Sequence, residues 1–195
     1  LFINSFAKCW SRIVDSCDYR GIPYVSNDAL YGDVHTGLRG LAWAASPNYL
    51  YGDYQYIVTP EIDTATLPIN QLQFSFWTRS YSSLQRPTFI VGLMDGNDTT
   101  GASFTAVDTI VIEGSTAWQK RTVFFDTYSG TGNRIALKAE RPDAEWEAGI
   151  DDIEIRLAPL CPPVTDIVAT AIDTNTLTIT WTDHSTSLSW DIEYG

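Results

Sequence analysis

Two adjacent carboxylates, Asp151 and Asp152, stand in the segment 149–157, where apolar residues alternate with charged ones. This alternation is typical of a half-buried strand. Because neighbouring side chains of a strand point to opposite faces, at most one of the two turns inward, and a buried carboxylate needs a partner. Calcium takes about six to eight oxygen ligands, including carboxylates and backbone carbonyls. We therefore predict structural Ca2+ here, completed by oxygens of the polar segment 15–33. The alternative is that Asp152 accepts backbone N–H bonds and Asp151 is solvated.

Aromatic residues in two predicted loops are the candidate ligand-binding residues. Tyr49, Tyr51 and Tyr54 share a turn-containing loop, and Trp146 stands in the acidic segment 143–147. Exposed aromatic rings stack on the apolar face of a sugar, and neighbouring carboxylates accept hydrogen bonds from its hydroxyls. The alternative is that these rings cap the ends of a β-sandwich core. Trp77, Trp118 and Trp181 lie in strand patterns, so we expect them in the core.

The residue types give little support for catalysis. His35 and His184 lie in different predicted domains, and the chain has no Gly-x-Ser-x-Gly nucleophile turn. Several glutamates are available for glycoside hydrolysis, but their spacing does not single out a pair. We interpret His35 as a solvated loop residue and predict that the protein is not an enzyme.

Charge and composition exclude further classes of function. The chain has 24 Asp and Glu against 12 Lys and Arg, a formal net charge of -12, which disfavours binding to nucleic acid or anionic lipid. It has no run of the roughly 20 apolar residues that cross a bilayer. A jelly roll would bring two of its three cysteines, Cys9 and Cys161, to one edge, but sequence does not determine whether they pair.

Many short alternating segments, separated by turn clusters, predict an all-β sandwich with minimal helix. The clearest strand lies over 72–79, where Leu72, Phe74 and Phe76 alternate with polar residues and Trp77. The segment 95–98, Asp-Gly-Asn-Asp, has the composition of a calcium loop but lacks the required spacing and terminal glutamate. We interpret this segment as a turn.

A composition rich in Thr, Val and Ile begins after the prolines at 162 and 163. Three strand patterns follow, whereas a sandwich of this kind usually has about seven strands. We therefore predict a domain over 1–158, a proline linker over 159–163, and over 164–195 the first part of a second domain. We also expect the chain to have been trimmed from a larger precursor.

The order of motifs along the chain carries a resemblance to a known group of proteins. The motifs are Cys9-Trp10-Ser11-Arg12-Ile13, Pro23-Tyr24-Val25, Ile57-Val58-Thr59-Pro60-Glu61-Ile62-Asp63, Leu72-Gln73-Phe74-Ser75-Phe76-Trp77, Phe104-Thr105-Ala106-Val107-Asp108-Thr109-Ile110 and Gly149-Ile150-Asp151-Asp152-Ile153. This order resembles the jelly-roll modules of Bacteroidetes surface proteins, which are related to gingipain cleaved-adhesin modules and, more distantly, to MAM domains. The segment 164–195 resembles the start of a fibronectin type III domain, an immunoglobulin-like β-sandwich.

The resemblance implies a jelly-roll β-sandwich in a secreted or surface-anchored protein, exposed outside the outer membrane of a Gram-negative bacterium. Members often hold calcium through paired aspartates of the last strand, which correspond here to Asp151 and Asp152. The glycine-rich acidic run that many members place after the first strand is replaced by the segment 15–20. The resemblance therefore does not extend to a second calcium site.

The functional prediction is a noncatalytic extracellular module that binds a glycan or a surface protein and holds structural calcium. The alternative is a structural spacer in a multidomain surface protein or secreted peptidase. An exposed aromatic site would favour the binding module, whereas a flat polar surface would favour the spacer.

Overall fold

The computed structural model describes residues 9–14, 23–27, 33–45, 54–140, 143–171, 176–185 and 189–193. The chain divides into two compact units, Leu1–Arg156 and Leu157–Gly195. Within the described residues, none of the helical structure has both the length and the apolar character needed to cross a membrane.

In its described residues, the first unit consists of strands and one short 3-10 turn. In chain order these are β1 Ser11–Val14, β2 Tyr24–Ser26, β3 Gly40–Ala45, β4 Tyr54–Val58, the turn Ile69–Gln71, β5 Leu72–Ser80, β6 Thr88–Met94, β7 Thr105–Val111, β8 Gln119–Phe124, β9 Arg134–Glu140 and β10 Trp146–Leu157.

These strands form two sheets of five. The first sheet has the order β1-β4-β9-β6-β7, and the second has the order β2-β3-β10-β5-β8. Most neighbours within a sheet are distant in sequence, as in the crossed-over connections of a jelly roll. The prediction of an all-β, jelly-roll-like sandwich is confirmed.

The core lies between the two sheets and follows the alternation of the strands. In β5, Leu72, Phe74 and Phe76 are almost fully buried and belong to the core cluster. They pack with Trp43 of β3, whose indole N–H donates to the Gln55 side-chain oxygen over 2.7 Å. That bond satisfies the single polar atom of a large buried ring.

The segment 95–98 forms the expected turn, in which the Asp98 N–H donates to the Asp95 carbonyl over 3.0 Å. Cys9 and Cys161 are both exposed free thiols.

In the second unit, β11 (Thr165–Ala171) and β12 (Leu177–Thr182) pair as an antiparallel hairpin with a register shift between Thr165 and Val168. The rings of Trp181 and Trp190 meet edge to face at 5.6 Å. Trp181 is half-buried. The assignment of this unit to the fibronectin type III class stays a prediction.

Candidate functional site

The two predicted aromatic residues that the structure describes, Tyr54 and Trp146, do not form one exposed site. Tyr49 and Tyr51 lie outside the described residues. Tyr54 is half-buried at the start of β4 in the first sheet, with its ring 5.3 Å from that of Tyr56. The aspartates lie on β10 in the second sheet, so Tyr54 and the aspartates belong to different sheets.

Trp146 is a core residue rather than an exposed loop residue. It begins β10, is only 2% exposed, and packs edge to face on Phe89 at 5.3 Å. The alternation that places Ala148 and Ile150 in the core extends back to Trp146. The interpretation of 143–147 as a loop presenting this ring is therefore wrong, because the strand starts before the acidic residues end.

Asp151 and Asp152 both lie on the outer face of the second sheet. Ile150 points into the core, so Asp151 points outward by alternation. Asp152 has a left-handed backbone with φ of 48°, which interrupts the alternation, and Ile153 returns to the core. The expectation of opposite faces is therefore wrong, because a local backbone irregularity shifts the pattern by one residue.

The two carboxylates hold the segment 33–39 against the sheet. Asp151 Oδ2 accepts the backbone N–H groups of His35 and Thr36 at 2.8 and 3.1 Å. Asp152 Oδ2 lies 2.7 Å from His35 Nδ1, and its Oδ1 accepts the Thr36 hydroxyl. Asp151 Oδ1 accepts the N–H of Asp152 at 2.8 Å. The two side chains therefore join segments more than one hundred residues apart.

These bonds change the protonation of Asp152. Partial burial alone raises its pKa, but the hydrogen bonds from Thr36 and His35 and the charge of His35 lower the pKa below its ordinary value. The ionised carboxylate is the form that accepts these bonds, so the bonds stabilise it.

The described residues do not fit a calcium site. Each oxygen of Asp151 and Asp152 already faces an N–H, hydroxyl or imidazole of the protein. Over the described parts of the chain, no cluster of three or more His, Cys, Asp or Glu side chains is arranged to hold a metal. Most of the segment 15–33, expected to supply further oxygens, lies outside the described residues. Calcium at Asp151 and Asp152 stays a sequence-based prediction, which the contacts of these two carboxylates do not favour.

His35 is the central residue that sequence reasoning missed. Its ring stacks on Trp77 with centroids 4.2 Å apart and an interplanar angle of 20°, and Trp118 lies at 5.2 Å with a 55° tilt. Its side chain is 23% exposed, so the interpretation as a solvated loop histidine is wrong. Trp77 and Trp118 are half-buried outside the core cluster, contrary to expectation.

A second anchor holds the same segment at Asp33. Its carboxylate is 3% exposed and accepts the hydroxyls of Ser26 and Tyr81. Burial raises the pKa of Tyr81 above its ordinary range, and the hydrogen bond to Asp33 adds to that rise. The Tyr81 phenol therefore stays protonated and keeps this bond at neutral pH.

Small residues of β10 let the outer aromatic ring approach the sheet. A Cβ added to Gly149 would lie 2.9 Å from the Trp118 ring and 3.5 Å from the Arg79 side chain, so both rest over this glycine. Arg79 also places its guanidinium 5.8 Å from the Tyr81 ring. We call this surface the aromatic face: His35, Trp77, Arg79, Tyr81 and Trp118.

Charged groups surround the aromatic face. Glu147 of β10 lies at the surface, but neighbouring groups partly desolvate its carboxylate, and this desolvation first, then the charges of Glu145 and Asp33, raise its pKa. Glu154 lies 3.8 Å from both Lys120 and Arg156. Half-exposed rings bordered by carboxylates and cations are suited to stacking and hydrogen bonding with a polar ligand.

The fold is similar to known adhesin domains. The K1 cleaved adhesin domain of Lys-gingipain from Porphyromonas gingivalis W83 matches with a TM-score of 0.57 and 14% identity, over 79% of this chain and 94% of that chain. The K2 cleaved adhesin domain matches with a TM-score of 0.59 and 12% identity, over 76% and 90%. An exo-β-agarase structure matches with a TM-score of 0.50 and 12% identity, over 80% of this chain and 24% of that one.

No protein-family model matches the chain, and no curated protein matches it in sequence. At such low identity to the solved structures, the likeness shows the fold alone. The predicted resemblance to cleaved-adhesin modules is confirmed at the level of a jelly-roll-like β module.

Proposed function

We propose that the first unit is a noncatalytic, extracellular carbohydrate-binding module that binds a glycan on the aromatic face. The observation that carries the proposal is the position of Trp118. Its ring is half-buried on the outer face of the second sheet, above Gly149 and beside Arg79. A ring seated over glycine offers a stacking surface for a sugar, and the neighbouring guanidinium donates to hydroxyls.

The similarity to adhesin domains supports a recognition role at a cell surface. The proposed location outside the cell rests on the same similarity. The carboxylate of Glu147 and the amine of Lys120 border the aromatic face and add an acceptor and a donor for sugar hydroxyls.

The test is a glycan array probed with the full chain, followed by calorimetric titration of the best ligand with variants. We expect Trp118→Ala to lower affinity about fivefold to thirtyfold, since a stacked ring, its buried apolar area included, contributes about 1–2 kcal/mol. Trp190→Ala, which removes a 46% exposed indole of the second unit, is the matched control.

Arg79→Ala is a second variant on the aromatic face, and thermal unfolding of each variant separates loss of binding from loss of folding. If folded Trp118→Ala and Arg79→Ala variants still bind the array, the aromatic face is not the glycan-binding site. If no glycan on the array binds the chain, the structural spacer becomes the supported function.

That alternative is a structural spacer, and one observation favours it. The His35 ring already covers one face of Trp77 at stacking distance. If a protein side chain covers Trp118 in the same way as His35 covers Trp77, the aromatic face serves to anchor the segment 33–39 rather than to bind a glycan. A folded chain without any glycan ligand, in which His35→Ala lowers only stability, is the outcome that spacer role predicts.

A further inference from the structure

A depression separate from the aromatic face lies at one end of the first unit. Its volume is about 490 Å3, within the roughly 300–1,000 Å3 common for ligand sites. We call it the end depression; it is lined by Leu84, Gln85, Arg86, Thr88, Ile90, Glu140, Asp143, Ala144, Glu145 and Trp146.

The segment 84–88 forms one wall of the end depression, and hydrogen bonds to backbone groups hold this wall in place. The Gln85 side chain accepts the Glu147 N–H at 3.1 Å, and the Tyr81 N–H donates to the Glu147 carbonyl at 3.2 Å. At the other end of this wall, the Ile112 N–H donates to the Pro87 carbonyl at 2.9 Å. The wall is therefore tied both to β10 and to the residue after β7.

The wall presents aliphatic surface to solvent. Leu84 is 92% exposed, and Ile90 of β6 is half-buried at the same depression. Trp146 also lines the end depression, but it is only 2% exposed and its ring packs on Phe89. The end depression thus offers contact for an aliphatic chain but no free aromatic face for a sugar ring.

Among the described side chains that line the end depression, carboxylates are in excess. Arg86 is paired with Glu113, and Glu140 with Lys138 at 2.5 Å, so each of these pairs is neutral. Asp143 and Glu145 are exposed and have no ion-pair partner in the described parts of the chain. Arg141 lies outside the described residues and is not assigned to the site.

We propose that the end depression binds a lysine or arginine side chain presented by a partner protein. The aliphatic stem of such a side chain lies along Leu84 and Ile90, while its cationic head reaches Asp143 and Glu145. The chain's net charge of -12 favours the approach of a basic partner over a long range. This interaction surface is independent of the glycan proposal, because the two sites share no residue.

The test follows amide chemical shifts of the full chain during titration with the acetylated, amidated tripeptide Gly-Lys-Gly. The same tripeptide with norleucine keeps the aliphatic stem and removes the charge, and the glutamate tripeptide reverses the charge. With the lysine peptide, we expect shifts of the amides at the end depression, namely those of Leu84, Ile90, Asp143 and Glu145. The norleucine peptide should bind at least about tenfold more weakly. The glutamate peptide should cause no shifts at these residues.

The double variant D143N/E145Q should lower the affinity for the lysine peptide at least about tenfold and leave the affinity for glycans unchanged. The chain supplies a matched control in D191N/E193Q, which removes the same two charges at the same spacing from exposed positions of the second unit. The proposal is overturned if norleucine binds as well as lysine, if shifts map elsewhere, or if both double variants weaken binding equally.

Discussion

The outer faces of the two sheets both carry an aromatic cluster covered by a loop, but the loops are held in different ways. On the first sheet, Tyr56 is 3% exposed beneath Phe104, whose ring lies at 5.2 Å. The covering loop is organised by Asp98, which accepts bonds from Thr100, Gly101 and Ser103. All these donors lie within five residues of Asp98, so the loop closes on itself.

The aromatic face of the second sheet depends on distant partners instead. The segment 33–39 has its anchors on Asp151 and Asp152, at least 115 residues away, and on Tyr81. In this fold, the self-contained loop covers Tyr56, whereas the segment held by distant residues leaves Trp77 and Trp118 partly exposed.

The largest expected effect distinguishes these two kinds of anchor. Asp151→Ala should lower the free energy of unfolding of the first unit by about 2–4 kcal/mol, because it leaves N–H groups of His35, Thr36 and Asp152 without their charged acceptor. Urea unfolding monitored by tryptophan fluorescence measures the change.

Hydrogen exchange then locates the effect. Asp151→Ala should raise exchange throughout 33–39 and around Trp77, whereas Asp98→Ala should raise it only within 95–104. Similar, whole-domain loss of protection in both variants would contradict the distinction between local and distant anchoring.

Two glycines give the next comparison. Gly101 has a φ of +85°, and an added Cβ would lie 2.6 Å from the Tyr56 ring, so Gly101→Ala combines backbone strain with a clash. We expect it to cost about 1–3 kcal/mol. Gly149→Ala meets the outer end of the half-buried Trp118 ring at 2.9 Å and the Arg79 side chain at an ordinary contact distance of 3.5 Å.

Gly149→Ala should therefore cost less than about 1 kcal/mol but move Trp118. The expected signature is a shifted tryptophan emission with nearly unchanged thermal stability. A thermal stability loss for Gly149→Ala equal to that for Gly101→Ala would show that the aromatic face is as tightly packed as the cluster around Tyr56.

How much of this the sequence could predict depends on the same distinction. The turn at Asp95–Asp98 was predictable because its partners are neighbours in sequence. The inward set Leu72, Phe74 and Phe76 was predictable because alternation is a local property. The pairing of His35 with Asp152 has no local signal, and neither does the stacking of His35 on Trp77.

The errors at Trp146 and Asp152 have a related cause. Alternation assigns a side chain to a face only when the strand's start and its irregularities are known. β10 begins among acidic residues that suggested a loop, and the left-handed backbone at Asp152 shifts the pattern by one residue. Neither feature follows from the alternation of apolar and polar residues alone.

A smaller effect concerns acid sensitivity. The pKa of Asp152 is lowered in the folded chain, so its contribution to stability is complete above the unfolded value of about 3.9 and is lost as pH falls through the folded value. Asp152→Asn removes this contribution at every pH. We expect wild type and variant to differ in unfolding free energy at pH 6 and to converge towards pH 2.

Asp98 provides the control for that measurement. Partial burial alone raises the pKa of Asp98, but hydrogen bonds from Ser103 and Thr100 lower it overall, well below its usual range. Asp98→Asn should therefore show the same convergence, while hydrogen exchange changes near 95–104 only. If the difference in unfolding free energy between wild type and Asp152→Asn stayed constant from pH 6 to pH 2, the charge on Asp152 would not help to hold the segment 33–39.

The smallest expected effect is that of calcium on the melting temperature. It tests most directly whether Asp151 and Asp152 are committed to holding the segment 33–39. The oxygens of Asp151 and Asp152 serve nitrogen and hydroxyl donors, so calcium would have to compete with His35 and Thr36 for the same carboxylates. We expect chelator and millimolar calcium to leave the melting temperature of the first unit within about 1 °C of each other, well below the roughly 2–4 °C that 1 kcal/mol produces in a domain of this size. A rise of several degrees with calcium, abolished by Asp151→Asn, would instead show that the aspartates exchange their loop partners for a metal. The bonds of Asp33 to Ser26 and Tyr81 would then still hold the start of the segment 33–39.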